Sequence, residues 1–324
     1  MHAAKRWLPR RSAVTEHGLL VAGGAAGIAA AFNTPLAGVM FAIEELSRTP
    51  EQRSSGLIIS AIVLAGLVAV SVYGNATYFG VIRVDAIDFS LLWPGALTAV
   101  AAGVAGGLFA RLLIASLGGQ GLDAFSRWRR ASPVRFAAGC GLAVAVIGVV
   151  THGATFGSGY LYTRGMLEGA ESTPLVYVLF KLVATWLTAW AGVPAGLFAP
   201  SLSIGAALGS DIAVVTGYPH AATLIALGMA GFLASVTQAP LTAFIIVMEM
   251  VNGHAMVLSL MACALISSAI SRAFSRPLYA TLAQMQLDRL PRAAPAGAVL
   301  PTPTPAVVPD AKAPRDGAAP GGPR

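Results

Sequence analysis

From Ala191 to Gly209 the chain reads AGVPAGLFAPSLSIGAALG, a stretch with no charged side chain and yet with the makings of an anion site. Pro194, Gly196 and Pro200 do not suit an uninterrupted helix, whereas the small and apolar residues from Ser201 onward do. A helix is therefore expected to start near Pro200, since proline suits a helix's first turn. Its unpaired N–H groups and the positive end of its dipole would face the gap before it, and Gly196 would let that backbone come close to a ligand. No Lys or Arg lies between Leu182 and Ser210, so the ion would be held by dipoles rather than by a full charge. Such a grip is loose enough for release and passage. A packing kink in a membrane helix accounts for Pro194 and Pro200 equally well, and the stretch alone leaves both readings open.

The elements that would have to position this stretch are membrane helices. The 324 residues are 56% hydrophobic and only 11% charged, against roughly 25% charged in soluble domains, and mean hydropathy is +0.72. Uncharged runs such as Ser54 to Ile82, Phe89 to Ala110, Phe136 to Tyr162 and Ile212 to Met248 exceed the about 20 apolar residues a spanning helix needs. Strands of alternating polarity are absent from the sequence, so an all-α, polytopic membrane protein is expected rather than a barrel. The net charge of +7 does not point to nucleic acid, because Lys and Arg fall at the ends of apolar runs, as membrane topology requires. Cys140 and Cys263 stand singly in apolar segments and read as packing. His2, His17, His152, His220 and His254 are dispersed, with no metal or nucleophile constellation, so neither an enzyme nor a cofactor is expected.

Basic clusters set the topology. Met1 to Arg11 carries Lys5, Arg6, Arg10 and Arg11 without an apolar core, so residues 1–17 read as a cytoplasmic segment rather than a signal peptide. From Gly18 a Gly- and Ala-rich helix is broken by Asn33, Thr34 and Pro35, and the following helix ends at Glu44 and Glu45. Arg48 and Arg53 place that end in the cytoplasm. Ser54 to Tyr73 then runs outward, Asn75 to Asp88 forms an external loop, and Phe89 to Leu117 returns to a cytoplasmic loop holding Arg127, Arg129, Arg130 and Arg135. Phe136 to Val150 exits again, and THGATFGSGYLYTRG, from Thr151, reads as irregular. Pro174 to Trp190 is a helix carrying Lys181. Ala221 to Gln238 and Pro240 to Val251 form a second broken pair, followed by helices at His254 to Ser271 and Pro277 to Leu287. From residue 291 to 324 a Pro/Ala/Gly-rich tail is expected to be disordered and cytoplasmic.

The two broken pairs match each other. Ala26 to Leu46 aligns without gaps on Gly231 to Val251, pairing Pro35 with Pro240, Leu36 with Leu241 and Glu44 with Glu249 at a constant separation of 205 positions (240 − 35). This is the mark of two repeats, which in transporters commonly have opposed orientations. The first-half counterpart of the anion stretch would lie 40 residues before Pro35 (240 − 200), ahead of Met1. The first repeat, 18–82, is thus expected to be incomplete beside the second, 89–290, and a site built between repeats would lack one wall.

Three motifs in this order resemble the CLC family of chloride channels and chloride/proton antiporters: AAFNTPLAGVMFAIEEL from Ala30 to Leu46, GLFAP from Gly196 to Pro200, and PLYATL from Pro277 to Leu282. The resemblance covers Arg11 to Leu290. It implies a fold of inverted repeats with broken helices, and a chloride ion held in the Gly196 loop by the N–H groups of Leu197 and Phe198 and by the Tyr279 hydroxyl. It assigns proton transfer to Glu45, whose plain reading is a solvated helix end with Glu44 and Arg48 as an i, i+4 pair. It also implies chloride and protons as the partners, a homodimer in a lipid bilayer, no nucleic acid, and a bacterial-type inner or plasma membrane. The family's GSGIP and G(K/R)EGP loops have no match here, and Ala195 stands where a glycine is usual. The alternative for the literal chain is therefore a nonconducting membrane fragment that folds and dimerises.

Overall fold

In the computed structural model, residues 16–47, 55–82, 89–118, 124–169 and 176–288 are described. Helix α1 (Glu16–Phe32) stops at Asn33, whose φ of +52° turns the chain, and α2 (Pro35–Phe41) restarts with proline in its first turn before passing into a π-helical turn at Ala42–Ser47. The second pair repeats this geometry. Helix α10 (Ala221–Thr237) ends at Gln238, φ +59°, and α11 (Pro240–Met250) again starts on proline. For reference below, the helices between are α3 (Ser55–Tyr73), α4 (Leu92–Leu117), α5 (Ala124–Ala131), α6 (Pro133–Val150), α7 (Tyr160–Leu167), α8 (Val176–Trp190) and α9 (Phe198–Thr216). The chain continues with α12 (Val257–Arg272) and α13 (Leu278–Leu287).

Left-handed backbone at a residue other than glycine is uncommon, and the two instances at the helix breaks, Asn33 and Gln238, are tied down in the same way. Asn33 donates from Nδ2 to the Ala76 carbonyl at 3.0 Å, and Gln238 donates from Nε2 to the Ser275 carbonyl, also at 3.0 Å. Each bond reaches the loop that follows the next long helix of its own repeat.

The two short helices α2 and α11 lie antiparallel and cap one another. Glu249, at the end of α11, accepts from the Leu36 and Ala37 N–H groups at 3.1 and 2.8 Å. Glu44, just past α2, accepts from the Leu241 and Thr242 N–H groups at 3.1 and 2.7 Å. The first N–H groups of a helix have no intrahelical acceptor and carry the positive end of its dipole. Two carboxylates within the apolar sequence are thereby satisfied without a cation. The reciprocity requires opposed helix directions, so the repeats are inverted with respect to each other.

Helix α10 is buried on every side from Thr223 to Thr237, as an all-apolar sequence demands. It packs along α9 through backbone contact: a Cβ on Gly205 or Gly209 would strike the carbonyls of Gly228 and Leu224, and a Cβ on Gly228 would strike the Gly205 carbonyl. In lipid, where apolar burial does not drive helices together, such close approach and interhelical hydrogen bonds supply the attraction. The α12 serines contribute the bonds. Ser267 donates to the Ala99 carbonyl on α4 and Ser271 to the Ser235 carbonyl on α10, each at 2.7 Å.

Among the described residues five helical segments are long and apolar enough to cross a membrane, at Gly56–Tyr73, Phe89–Leu117, Pro133–Val150, Phe198–Thr216 and His254–Arg272. The described residues form helices and connecting loops without a strand. Three details depart from the sequence reading. The helix after the GLFAP motif begins at Phe198, so Pro200 is its third residue rather than its start. The segment from Thr151 is irregular only as far as Gly159, because Tyr160 to Leu167 is helical. Helix α1 takes in Glu16 and His17, at the end of the basic segment 1–17. Residues 1–15, Arg48, Arg53, Asp85, Asp88 and the tail at 291–324 lie outside the described residues. The compact unit ends at Met285, and the second unit is described only from Gln286 to Asp288.

Candidate functional site

The N-terminus of α9 opens into a cavity of about 450 Å³ lined by Ala195, Gly196, Leu197, Phe198, Ala199 and Pro200. The first bond of the helix runs from the Ser201 N–H to the Leu197 carbonyl at 3.0 Å. The N–H groups of Leu197, Phe198 and Ala199 therefore precede the helical ladder, and Pro200 has none to offer. Open space surrounds the position a Gly196 side chain would take, so an ion can approach the backbone there. Free N–H groups at the positive end of a 19-residue helix are a ready anion seat.

Four other elements line the cavity. Phe32 comes from the end of α1, Val144 from α6, and Thr155 to Ser158 from the loop before α7; Lys181, Ala184, Thr185 and Thr188 project from α8. The α8 face is fixed to α9 by the Tyr177 hydroxyl, 2.8 Å from Ser203 Oγ, and the Tyr177 ring lies under that of Tyr162 with centroids 4.6 Å apart.

Lys181 is among the residues that line this cavity. It is 1% exposed, and its Nζ donates to the Thr155 and Gly157 carbonyls, both at 2.9 Å. The loop can come this near because Gly159 has φ +84° and no Cβ: a side chain there would run into Ser203 and approach Lys181 Cε to 3.3 Å. The sequence reading named Lys181 only as carried by its helix, and fifteen residues separate it from Gly196 (196 − 181). About two and a half helical turns of α8, from Lys181 to Trp190, and a reversal bring it back. An ionisable residue within an apolar helix was the available signal.

The Phe198 ring links the cavity to the remaining predicted residues. It meets Phe41 edge-on at a centroid distance of 5.7 Å and stacks on Tyr279 at 6.0 Å with a 28° interplanar angle. Phe41 is four residues before Glu45 (45 − 41). Tyr279 and Glu45 are both half-buried. The Phe198 ring thus joins Tyr279 to the cavity. Gly196, Leu197 and Phe198 line the cavity, Tyr279 adjoins it through Phe198, and Glu45 is not among its lining residues.

Residues 1–272 match the family model described as "Voltage gated chloride channel". The chain belongs to this family. Among curated relatives, it is 28% identical over 288 residues to the H(+)/Cl(-) exchange transporter ClcA of Salmonella paratyphi A, and 29% identical over 292 residues to that of Yersinia pestis bv. Antiqua. In both cases the match takes in 84% of this chain and 59% of the relative, so the chain spans about three fifths of their length. Among solved structures, a CLC-type fluoride/proton antiporter aligns at TM-score 0.69 and 23% identity over 82% of this chain and 65% of its own. A slow cyanobacterial Cl-/H+ antiporter aligns at TM-score 0.68 and 23% identity over 85% and 67%. These structures establish the CLC fold for the chain, a polytopic, all-α membrane protein with broken helices. Its curated relatives are named as transporters and not as enzymes.

Proposed function

We propose that this CLC protein carries chloride across a bilayer in exchange for protons. The observation that carries the reading is the set of unbonded N–H groups at the start of α9, opening into a cavity, in a chain whose relatives are named H(+)/Cl(-) exchange transporters. In this reading the Leu197 and Phe198 N–H groups and the Tyr279 hydroxyl hold chloride, Gly196 gives the ion room, and Glu45 takes protons from the cytoplasmic side. The ion is the cargo, and no cofactor is needed. Residues 18–290 form the membrane domain, with 1–17 and 291–324 as cytoplasmic segments, and the protein works as a homodimer in a bacterial-type inner membrane.

Reconstitution into liposomes tests this. A chloride gradient is expected to drive proton uptake, and Glu45→Gln is expected to abolish that uptake while chloride still moves. Coupled proton flux that persists in Glu45→Gln removes Glu45 from the mechanism. Liposomes holding folded protein yet no leakier to chloride than empty ones overturn the transport reading and leave a membrane protein that folds and dimerises without conducting.

A further inference from the structure

Helices α4 and α12 run side by side in the same direction but meet closely along only part of their length. Ser267 Oγ donates to the Ala99 carbonyl at 2.7 Å. Further on, Gly103 lies against Ile270 and Gly107 admits the Phe274 ring. Small residues on α4 thus draw the two helices together from Ala99 onward, as packing in lipid requires. Before Ala99 the helices part. Gly95 and Ala96 of α4 and Ser259 and Ala262 of α12 line a cavity of about 470 Å³ between them. Its floor is Leu227 of α10, 2% exposed, with Cys263 beside it at 4%, whereas Leu92 and Leu258 at its rim are 67% and 73% exposed. It shares no lining residue with the cavity at the start of α9.

Polarity, shape and position decide what fills this space. Water in a cavity needs about two to four polar partners, but Ser259 and Cys263 are the lining residues with polar side-chain atoms, and the Cys263 thiol already donates to the Leu227 carbonyl at 3.3 Å. A helix of a second chain, about 10–12 Å across, cannot follow a slot that closes where Ser267 bonds Ala99. A polymethylene chain, one carbon wide, can. The slot extends along α4 from Leu91 to Ala99, eight residues (99 − 91), or about 12 Å at the helical rise. It lies within two spanning segments, Phe89–Leu117 and His254–Arg272, so bilayer hydrocarbon stands at its mouth, about 15 Å deep in each leaflet. Left empty, the slot would cost its walls their dispersion contacts. We propose that it binds one acyl chain of a membrane phospholipid, seated between α4 and α12 and reaching Leu227 of α10.

Photolabelling of the full chain in liposomes tests this, with phosphatidylcholine carrying a diazirine in its acyl chains and the adducts mapped by peptide mass spectrometry. Helix α10 is buried on every side from Thr223 to Thr237, so lipid reaches Leu227 only through the slot. Adducts are expected on Leu227, Ala99 or Cys263 as well as on the exposed Val146 and Val149 of α6. Ala262→Phe fills the slot and is expected to lower the slot adducts about tenfold or more, leaving those on α6 unchanged. Adducts on α6 with none in the slot overturn the proposal, as does unaltered slot labelling in folded Ala262→Phe. Should that variant not fold, a titration of the wild type decides the question. Slot adducts are expected to saturate as the probe's share of the lipid rises, because one chain fills the site, whereas α6 adducts rise in proportion. A parallel rise of both overturns the proposal. A disulfide-linked dimer of Leu258→Cys, formed without slot adducts, assigns the slot to a second copy of the chain and overturns it too.

Discussion

Leu197 and Phe198 act through their main chain, and their side chains serve to fix the helix that presents it. The Phe198 ring sits against Phe41 and Tyr279, so the first turn of α9 is held in place by the side chain of one of the two residues that would donate. The backbone chemistry here was legible, because Pro and Gly restrict or free main-chain geometry whatever surrounds them. Tyr279 was legible only through the family motif, since an aromatic near a helix start is as well explained by the membrane interface. If its hydroxyl donates to chloride, Tyr279→Phe removes a hydrogen bond to a charged partner, worth about 1.5–3 kcal/mol. Calorimetry should then show chloride affinity falling by roughly tenfold or more. An unchanged affinity takes Tyr279 out of the site.

At the scale of elements, the α2 and α11 caps tie the two repeats together. Each carboxylate takes two N–H donors from the facing helix. Replacing Glu44 or Glu249 by Gln exchanges a charged cap for a neutral one that accepts through a single oxygen, at an expected cost of about 1–2 kcal/mol. Thermal unfolding in detergent should register each loss, and the double variant should deviate from additivity because both caps brace the same pair of helices. Unchanged midpoints in both single variants count against the brace. The α9–α10 crossing is a second element-level test. A branched side chain in Gly205→Val must push the Gly228 backbone away, and overpacking of this kind costs about 1–3 kcal/mol. Gly27, with open space around its missing side chain, provides the control: Gly27→Ala should leave thermal stability equal or slightly higher. Equal loss from both variants refutes the contact argument.

For the whole molecule, the outer helices decide how the protein meets its surroundings. Helix α3 is apolar along its length and largely uncovered, with Leu64, Leu67, Val68 and Val72 each more than 60% exposed. Lipid or a second copy of the chain can cover such a surface. The homodimer proposed above predicts that light scattering in mild detergent will give twice the 33.0 kDa chain mass after subtraction of bound detergent. A mass of one chain refutes it.

What the sequence determined by itself was whatever depends on local chemistry and on self-comparison. Apolar length marked the spanning segments, basic clusters suggested their direction, and proline with its neighbours placed both broken pairs within a residue or two. The register of Pro35 with Pro240 and Glu44 with Glu249 already contained the repeat. Tertiary structure alone decided what those glutamates do, because a carboxylate at a helix end looks the same whether it meets water, an arginine or the start of another helix. It also decided that α9 faces a cavity and that Lys181 shares it. Both facts depend on where the chain turns back on itself, and in an apolar bundle many helix rotations satisfy the same hydrophobic pattern. Close glycine contacts and buried hydrogen bonds select one of them.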